Sequence, residues 1–223
     1  MTDRVVIITG ASGAAGRAAA QAFAGHGDAL VLYGRTAAAL QEVRMGLEIS
    51  DRCILTQAVD LTDLEALQAS ARDVERSFGP AQILIHLVGG WTGGKTLPET
   101  DPEDLNSMFR QHVQTTFNLF RAFAPQMEKA GWGRAMTIST PGASKPVPKR
   151  GVYAAAKAAE ESLFLTLGEE LKDKGVTSNI ILVNSIDAQG TGRGTLPEEI
   201  AAAMLYLCSE EAGRVTGTRL PLL

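Results

Sequence analysis

Along the chain, short apolar runs alternate with longer stretches whose apolar residues recur at helical spacing. Val5–Ile8, Ala29–Tyr33, Cys53–Val59, Ile83–Val88, Arg134–Thr140 and Ser178–Val183 read as strands, because continuous, largely β-branched runs suit strands covered on both faces of a parallel sheet. Thr218–Leu223 reads as a last short strand. Between these runs, helices are predicted over Arg17–Ala24, over Thr36–Ile49 with Leu40, Val43 and Leu47 as the apolar stripe, and from a cap at Thr62 or Asp63 to Phe78. Pro102–Lys129 reads as one long helix with Leu105, Met108, Phe109, Val113, Phe117, Phe120 and Phe123 on its apolar side. Further helices open at Tyr153 and span Pro197–Ser209. Strict strand–helix alternation without linker or repeat predicts an α/β fold: one doubly wound domain over residues 1–223, with a mainly parallel sheet of about seven strands.

Composition narrows the class. The 223 residues are 45% hydrophobic but only 5% aromatic, so the core is built from Val, Ile, Leu and Ala. A formal net charge of −4 argues against nucleic acid or an anionic membrane as the main partner. No apolar run approaches the ~18–20 residues of a membrane span, and a first strand beginning by Val5 leaves no room for a secretion signal. A cytoplasmic protein is expected. Cys53 and Cys208 are isolated, without metal-type spacing, and read as small buried residues in a reducing compartment.

Candidate chemistry begins where the first strand ends. Gly10, Gly13 and Gly16 recur every third residue before an Ala-rich helix. That spacing permits a tight turn and close approach of a bulky anion, whose phosphates the free N–H groups at the helix start would attract. Such a turn equally serves as a glycine-rich connection that binds nothing. At the end of the second strand, Gly34 leaves space and Arg35 offers a fork of donors suited to a ribose 2′-phosphate, where an acid would accept from a free 2′-hydroxyl; a solvated surface arginine is the alternative. The fourth strand runs into Gly89-Gly90-Trp91-Thr92-Gly93-Gly94-Lys95, a flexible loop at the sheet edge where ligands bind in open α/β folds. Trp91 there either closes over a flat substrate or plugs the loop onto the body. Tyr153 and Lys157, four residues apart, share one helix face. A phenol with an ordinary pKa of ~10 is a poor acid–base group at neutral pH, and a fixed ammonium beside it is expected to lower that value. Thr140, thirteen residues upstream with Ser139 beside it, places a hydroxyl able to bond the same substrate oxygen.

Together these motifs resemble the short-chain dehydrogenase/reductase family over essentially the whole chain. The resemblance implies a Rossmann-type domain and hydride transfer between NAD(P)H and a carbonyl, with NADP(H) preferred and NAD(H) possible. Tyr153 would be the acid/base, Lys157 would hold the nicotinamide ribose and tune Tyr153, and Thr140 would polarise the carbonyl. Gly10, Ser12, Gly13, Ala14, Ala15 and Gly16 would cradle the pyrophosphate. Asp60 and Leu61 would lie by the adenine, and Val88 and Gly89 by the ribose. The family also implies a homodimer or homotetramer. Several positions depart from the family pattern: Ala14 replaces its middle glycine, His86-Leu87-Val88-Gly89 its Asn-Asn-Ala-Gly, His112 its helical asparagine, and Val183-Asn184 its Pro-Gly. The segment before the last helix is short, so the usual substrate lid is expected to be clipped. The substrate is expected to be a 3-oxoacyl thioester, ketone or quinone. The Trp91 loop resembles that of dihydropteridine reductases, which makes a pteridine-type reductase the alternative. The altered positions motivate a third reading, a dinucleotide-binding sensor or assembly protein with little catalysis.

Overall fold

The computed structural model describes residues 4–145 and 147–223; Pro146 lies outside them. Seven strands form one sheet: β1 (Val5–Thr9), β2 (Ala29–Gly34), β3 (Ile54–Ala58), β4 (Ile83–His86), β5 (Gly133–Ser139), β6 (Val176–Leu182) and β7 (Arg219–Pro221). Their spatial order is β3-β2-β1-β4-β5-β6-β7 and every pairing is parallel. The helices are α1 (Ala14–His26), α2 (Ala37–Met45), α3 (Leu64–Phe78), α4 (Pro102–Phe109), α5 (Thr115–Ala130), α6 (Gly151–Leu171) and α7 (Pro197–Leu207). The doubly wound parallel architecture is the one the alternation predicts.

Alternating residues of β1 feed two cores. Val5 and Ile7 join Tyr33, Leu67, Phe123 and Phe164 on the face covered by α3, α5 and α6. Val6 and Ile8 join Phe23, Leu40 and Met204 on the face covered by α1, α2 and α7. Each such fully buried side chain contributes about 1.5–3 kcal/mol, which is why the apolar runs are continuous rather than alternating. Among the described residues no helix is long and apolar enough to cross a membrane.

Two boundaries matter for function. β4 stops at His86, not Val88, because the chain turns away to let the following glycines approach the site. The predicted long helix from Pro102 is continuous but contains a π-helical turn, Arg110–Gln114, between α4 and α5. One extra residue in that turn rotates the face presented by α5 relative to α4 and aims His112 inward. Leu105, Phe109 and Phe117, expected on the apolar side, are exposed on this chain. The Asp187–Thr195 segment is short, as expected, and folded about one side chain: the Asp187 carboxylate accepts from the Gly192 and Arg193 N–H groups at 2.7 and 3.2 Å.

The β1–α1 turn leaves no room for side chains at two of its glycines. Gly10 has φ +67°, and a Cβ on it would come 2.7 Å from the Leu87 carbonyl oxygen; one on Gly16 would come 2.4 Å from the Gly10 oxygen. Gly16→Ala is therefore expected to cost about 1–3 kcal/mol by overpacking. Gly25→Ala, on the same helix where an added Cβ meets nothing within 4 Å, should gain about 0.5–1 kcal/mol. Urea unfolding of the two variants checks the pair.

Candidate active site

The carboxyl ends of β1, β4, β5 and β6 open onto a cleft of ≈ 510 Å³. Strand order reverses between β1 and β4, and at such a switch point the two following loops diverge and leave a crevice. The cleft collects residues far apart in sequence: Gly10, Gly13, Ala14, Ala15 and Gly16 from the first turn, Val88 and Gly89 after β4, Thr140 after β5, and Tyr153 and Lys157 from α6. Ser12, Arg35, Asp60 and Leu61 do not line it.

The first turn suits a dinucleotide pyrophosphate. Gly13 caps α1 without any side-chain hydrogen bond, and the first helical turn carries no acid. The opening N–H groups of α1 and its positive dipole end thus face the cleft without competition from a capping side chain. Farther along the sheet edge, Arg35 is exposed. Gly34 has a packing reason unlike the one expected: a Cβ there would approach Leu40 Cδ2 to 2.9 Å, so the missing side chain makes room for Leu40 and opens no space for a ligand. Asp60 is exposed, and its Oδ1 accepts from the Thr62 N–H and hydroxyl at 2.9 and 2.8 Å; these bonds hold its carboxyl below the usual range. Leu61 is buried, with its carbonyl held by Asn118 Nδ2 at 2.9 Å.

The two hydroxyls at the end of β5 divide their work. Ser139 is buried and donates to Glu161 Oε1 at 2.5 Å; the other Glu161 oxygen accepts from Arg219 at 2.6 Å. Thr140, half-buried, only accepts a long bond from the Gly142 N–H at 3.4 Å, which leaves its own proton uncommitted. Of the pair left open by the sequence, Thr140 carries the available hydroxyl. Trp91 stands on the cleft wall, 58% exposed. Its loop is tied to the neighbouring one where the Gly94 N–H donates to the Lys149 carbonyl at 2.8 Å.

Beneath the cleft lies a polar cluster that sequence reasoning missed in part. Lys157 Nζ, buried, donates to Glu160 Oε2 at 2.7 Å. His112 Nδ1 lies 3.0 Å from the same oxygen, and its Nε2 lies 3.0 Å from the Gly90 carbonyl. Thr137 donates to Glu160 Oε1 at 2.6 Å. Burial raises the Glu160 pKa, but Lys157 and the hydrogen bond from His112 outweigh it and bring it to about 2. Gly89 is required here, since a Cβ on it would meet His112 Cε1 at 2.9 Å. The His112 ring meets the Tyr153 ring edge-on at 5.7 Å between centroids. Tyr153 does not have the lowered pKa expected from Lys157. Burial raises it, the Glu160 charge raises it further, and Arg150 alone opposes them. The signal for Glu160 was present in its spacing, three residues beyond Lys157 on one helix.

His86 is a core histidine. Its Nδ1 lies 2.7 Å from the Thr9 hydroxyl and its Nε2 3.3 Å from that of Thr115, which donates to the Gln111 carbonyl. The chain of bonds closes with a neutral ring: the Thr9 hydroxyl donates to Nδ1, and Nε2–H donates to Thr115. Burial pushes its pKa down to about 4.

The chain belongs to the short-chain dehydrogenase family, an oxidoreductase family that uses NAD(P)(H): the model described as short chain dehydrogenase matches residues 4–195. The chain is 29% identical over 246 residues to nodulation protein G of Azospirillum brasilense, covering 99% of this chain and 96% of that one. It is 25% identical over 238 residues to acetoacetyl-CoA reductase of Allochromatium vinosum, covering 98% and 96%. A solved short chain dehydrogenase from Bacillus anthracis superposes with a TM-score of 0.91 at 29% identity, covering 98% of this chain and 94% of that one.

The depressed His86 pKa has a stability consequence. A neutral buried imidazole disfavours protonation in the folded state, so the unfolded chain binds the extra proton and stability falls as pH drops through the window from the ordinary ~6.5 toward 4. Between about pH 7 and about pH 5 this amounts to about 2 kcal/mol. His86→Asn should flatten that part of the pH–stability curve, read by urea unfolding at the two pH values.

Proposed function

We propose that this short-chain dehydrogenase reduces a carbonyl substrate with NADPH, with Tyr153 donating the proton to the carbonyl oxygen. The observation that carries this reading is the convergence of Tyr153, Lys157 and the free Thr140 hydroxyl on the cleft that also holds the uncapped start of α1. The nicotinamide, when bound, supplies the hydride. The N–H groups from Ala14 to Gly16 bind the pyrophosphate, with Gly10, Ser12 and Gly13 shaping the turn. Val88 and Gly89 flank the ribose, and Lys157 holds its hydroxyls. Leu61 and Asp60 border the adenine, and Arg35 reads the 2′-phosphate. Thr140 donates to the carbonyl oxygen and orients it toward Tyr153. The substrate class is a 3-oxoacyl thioester, small ketone or quinone; the relative named acetoacetyl-CoA reductase supports the first of these. A pteridine-type reductase is the second reading, favoured by the exposed Trp91 ring on the cleft wall. The exposed Leu105, Phe109 and Phe117 support a homodimer or homotetramer.

Tyr153→Phe should lower ketone or acetoacetyl thioester reduction by about 10³-fold, in the range for loss of a general acid, while still binding NADPH. Full activity of that variant on a working substrate would overturn the mechanism, and turnover confined to quinonoid dihydropterin would select the pteridine reading. Arg35→Ser should weaken NADPH binding by about tenfold, the loss of one charge-assisted contact, and leave NADH binding nearly unchanged. A titration following energy transfer from Trp91 and Trp132 to the reduced nicotinamide reads both.

A further inference from the structure

Of the lysines and arginines, two line the cleft, Lys157 and Arg150, and among the described residues that line it there is no aspartate or glutamate. Lys157 is buried, and its ammonium donates to Glu160 Oε2 at 2.7 Å. Arg150 is exposed, and among the described residues its guanidinium has neither a hydrogen bond nor an ion pair. Its backbone is nonetheless held. The Arg150 N–H donates to the Val147 carbonyl at 3.3 Å, and its carbonyl accepts from the Ala154 N–H at 2.8 Å. The residue before it, Lys149, has φ +62°, a left-handed conformation that is costly for a residue with a side chain. The Lys149 carbonyl accepts from the Gly94 N–H at 2.8 Å, which ties this turn to the Trp91 loop. Lys149 faces a neighbouring cavity and Arg150 the cleft. Arg150 stands three residues before Tyr153 at the start of the same helix, and its charge is felt at the Tyr153 phenol, where it opposes burial. An exposed guanidinium without a partner, on a wall without carboxylates, suits an anion, and its planar fork matches a carboxylate. The cofactor's phosphates belong to the start of α1, whereas Arg150 belongs to α6, beside the phenol that meets the substrate oxygen.

We infer that Arg150 is a specificity residue that binds a carboxylate on the substrate, so that the preferred substrate is a short free oxo acid whose ketone and carboxylate are separated by a few bonds. This rests on the reading of Tyr153 as proton donor to a carbonyl, and it narrows the substrate class. In a coenzyme A thioester the acyl group is neutral and the phosphates stand at the far end of the pantetheine arm. A simple quinone carries no anion. The carboxylate itself does not react: the hydride of NADPH goes to the ketone carbon, the Tyr153 proton to its oxygen, and the product is the corresponding hydroxy acid. Holding a non-reacting group one helical turn away also orients the ketone toward the phenol.

The test measures binding without turnover. Pyruvate, acetoacetate and levulinate, each against its methyl ester, are titrated calorimetrically into enzyme saturated with NADP⁺, which has no hydride to give. A charge-assisted contact contributes about 10–100-fold in affinity, so at least one acid should bind more tightly than its ester by that factor. In Arg150→Gln the acid-over-ester ratio should fall toward one. In Arg150→Lys, which keeps the charge but not the fork, part of the ratio should remain. Esters that bind as well as their acids, absence of binding by all three acids, or a ratio unmoved in Arg150→Gln would overturn the inference. A loss of NADP⁺ affinity in Arg150→Gln with an unmoved ratio would give the residue to the cofactor's phosphates and overturn it equally. Should Arg150→Gln fail to fold, the wild-type comparison of acid and ester still decides. Failure here is distinct from failure of the mechanism. Acids and esters bound alike, with an inactive Tyr153→Phe variant, would remove only the role of Arg150, whereas an active Tyr153→Phe variant would remove the mechanism itself.

Discussion

The architecture of the cleft depends on the parallel pairing of β1 with β4. Val6 to Thr9 run beside Ile83 to His86, and the last pair is joined side chain to side chain by the Thr9–His86 hydrogen bond of 2.7 Å. Because the two strands end level, the loops that follow them leave the sheet side by side. Gly10 passes so near Leu87 that no side chain fits between them. α1 and the Val88–Gly90 segment then form opposite walls of one crevice. A shift of register by one residue would move Thr9 and His86 to opposite faces of the sheet, unpairing a buried imidazole and separating the two walls.

Below that crevice the chain carries a buried carboxylate, which is costly: desolvating an ion amounts to several kcal/mol even in a relaxed protein. Glu160 offsets it with three donors, one of them an ammonium. The arrangement also constrains the elements that carry the donors. Thr137 fixes β5, His112 fixes the π turn, and Lys157 fixes α6, so one side chain joins the sheet to two helical elements at the floor of the site. The π turn Arg110–Gln114 is part of the same constraint, because it carries the His112 ring that lies 3.0 Å from Glu160.

The strands and the doubly wound parallel sheet were legible because apolar runs report burial directly, and strands in a parallel sheet are buried on both sides. The ends of elements were less so. Apolar character continues past His86 to Val88, but hydrogen bonding to neighbouring strands does not, and no hydropathy pattern marks that difference. Hydropathy also carries no trace of the π turn, since its five residues keep a helical polarity pattern. At the site, the tyrosine and lysine were legible from their spacing, while the electrostatics were misread. The expectation of a lowered Tyr153 pKa considered one neighbour; burial raises it, and the charge of Glu160, three residues beyond Lys157 on the same helix, adds to that. Gly34 was misread in a related way: an absent side chain looks like room for a ligand until Leu40 is found filling it. Ser139 and Thr140 could be separated only once Glu161 was found to bind one of them.

The positions that depart from the family pattern bear on whether the chain has lost its chemistry. Loss without compensation leaves buried polar atoms unpaired, at about 1–3 kcal/mol each. Among the described residues, the buried side-chain atoms without a partner belong to Arg134, Thr177, Ser178 and Ser209, and none of these lines the cleft. The two histidines that depart from the family pattern are instead both partnered. The His112 ring lies 3.0 Å from Glu160 and 3.0 Å from the Gly90 carbonyl, Gly89 is bare where His112 needs the room, and His86 is bonded on both ring nitrogens by Thr9 and Thr115. An imidazole at 112 without the carboxylate at 160 would lose a buried partner, and the carboxylate without Lys157 would lose its ammonium partner. The departures from the family pattern therefore leave no unpaired buried side-chain atom among the described residues that line the cleft, and Tyr153 and Lys157 stand in it.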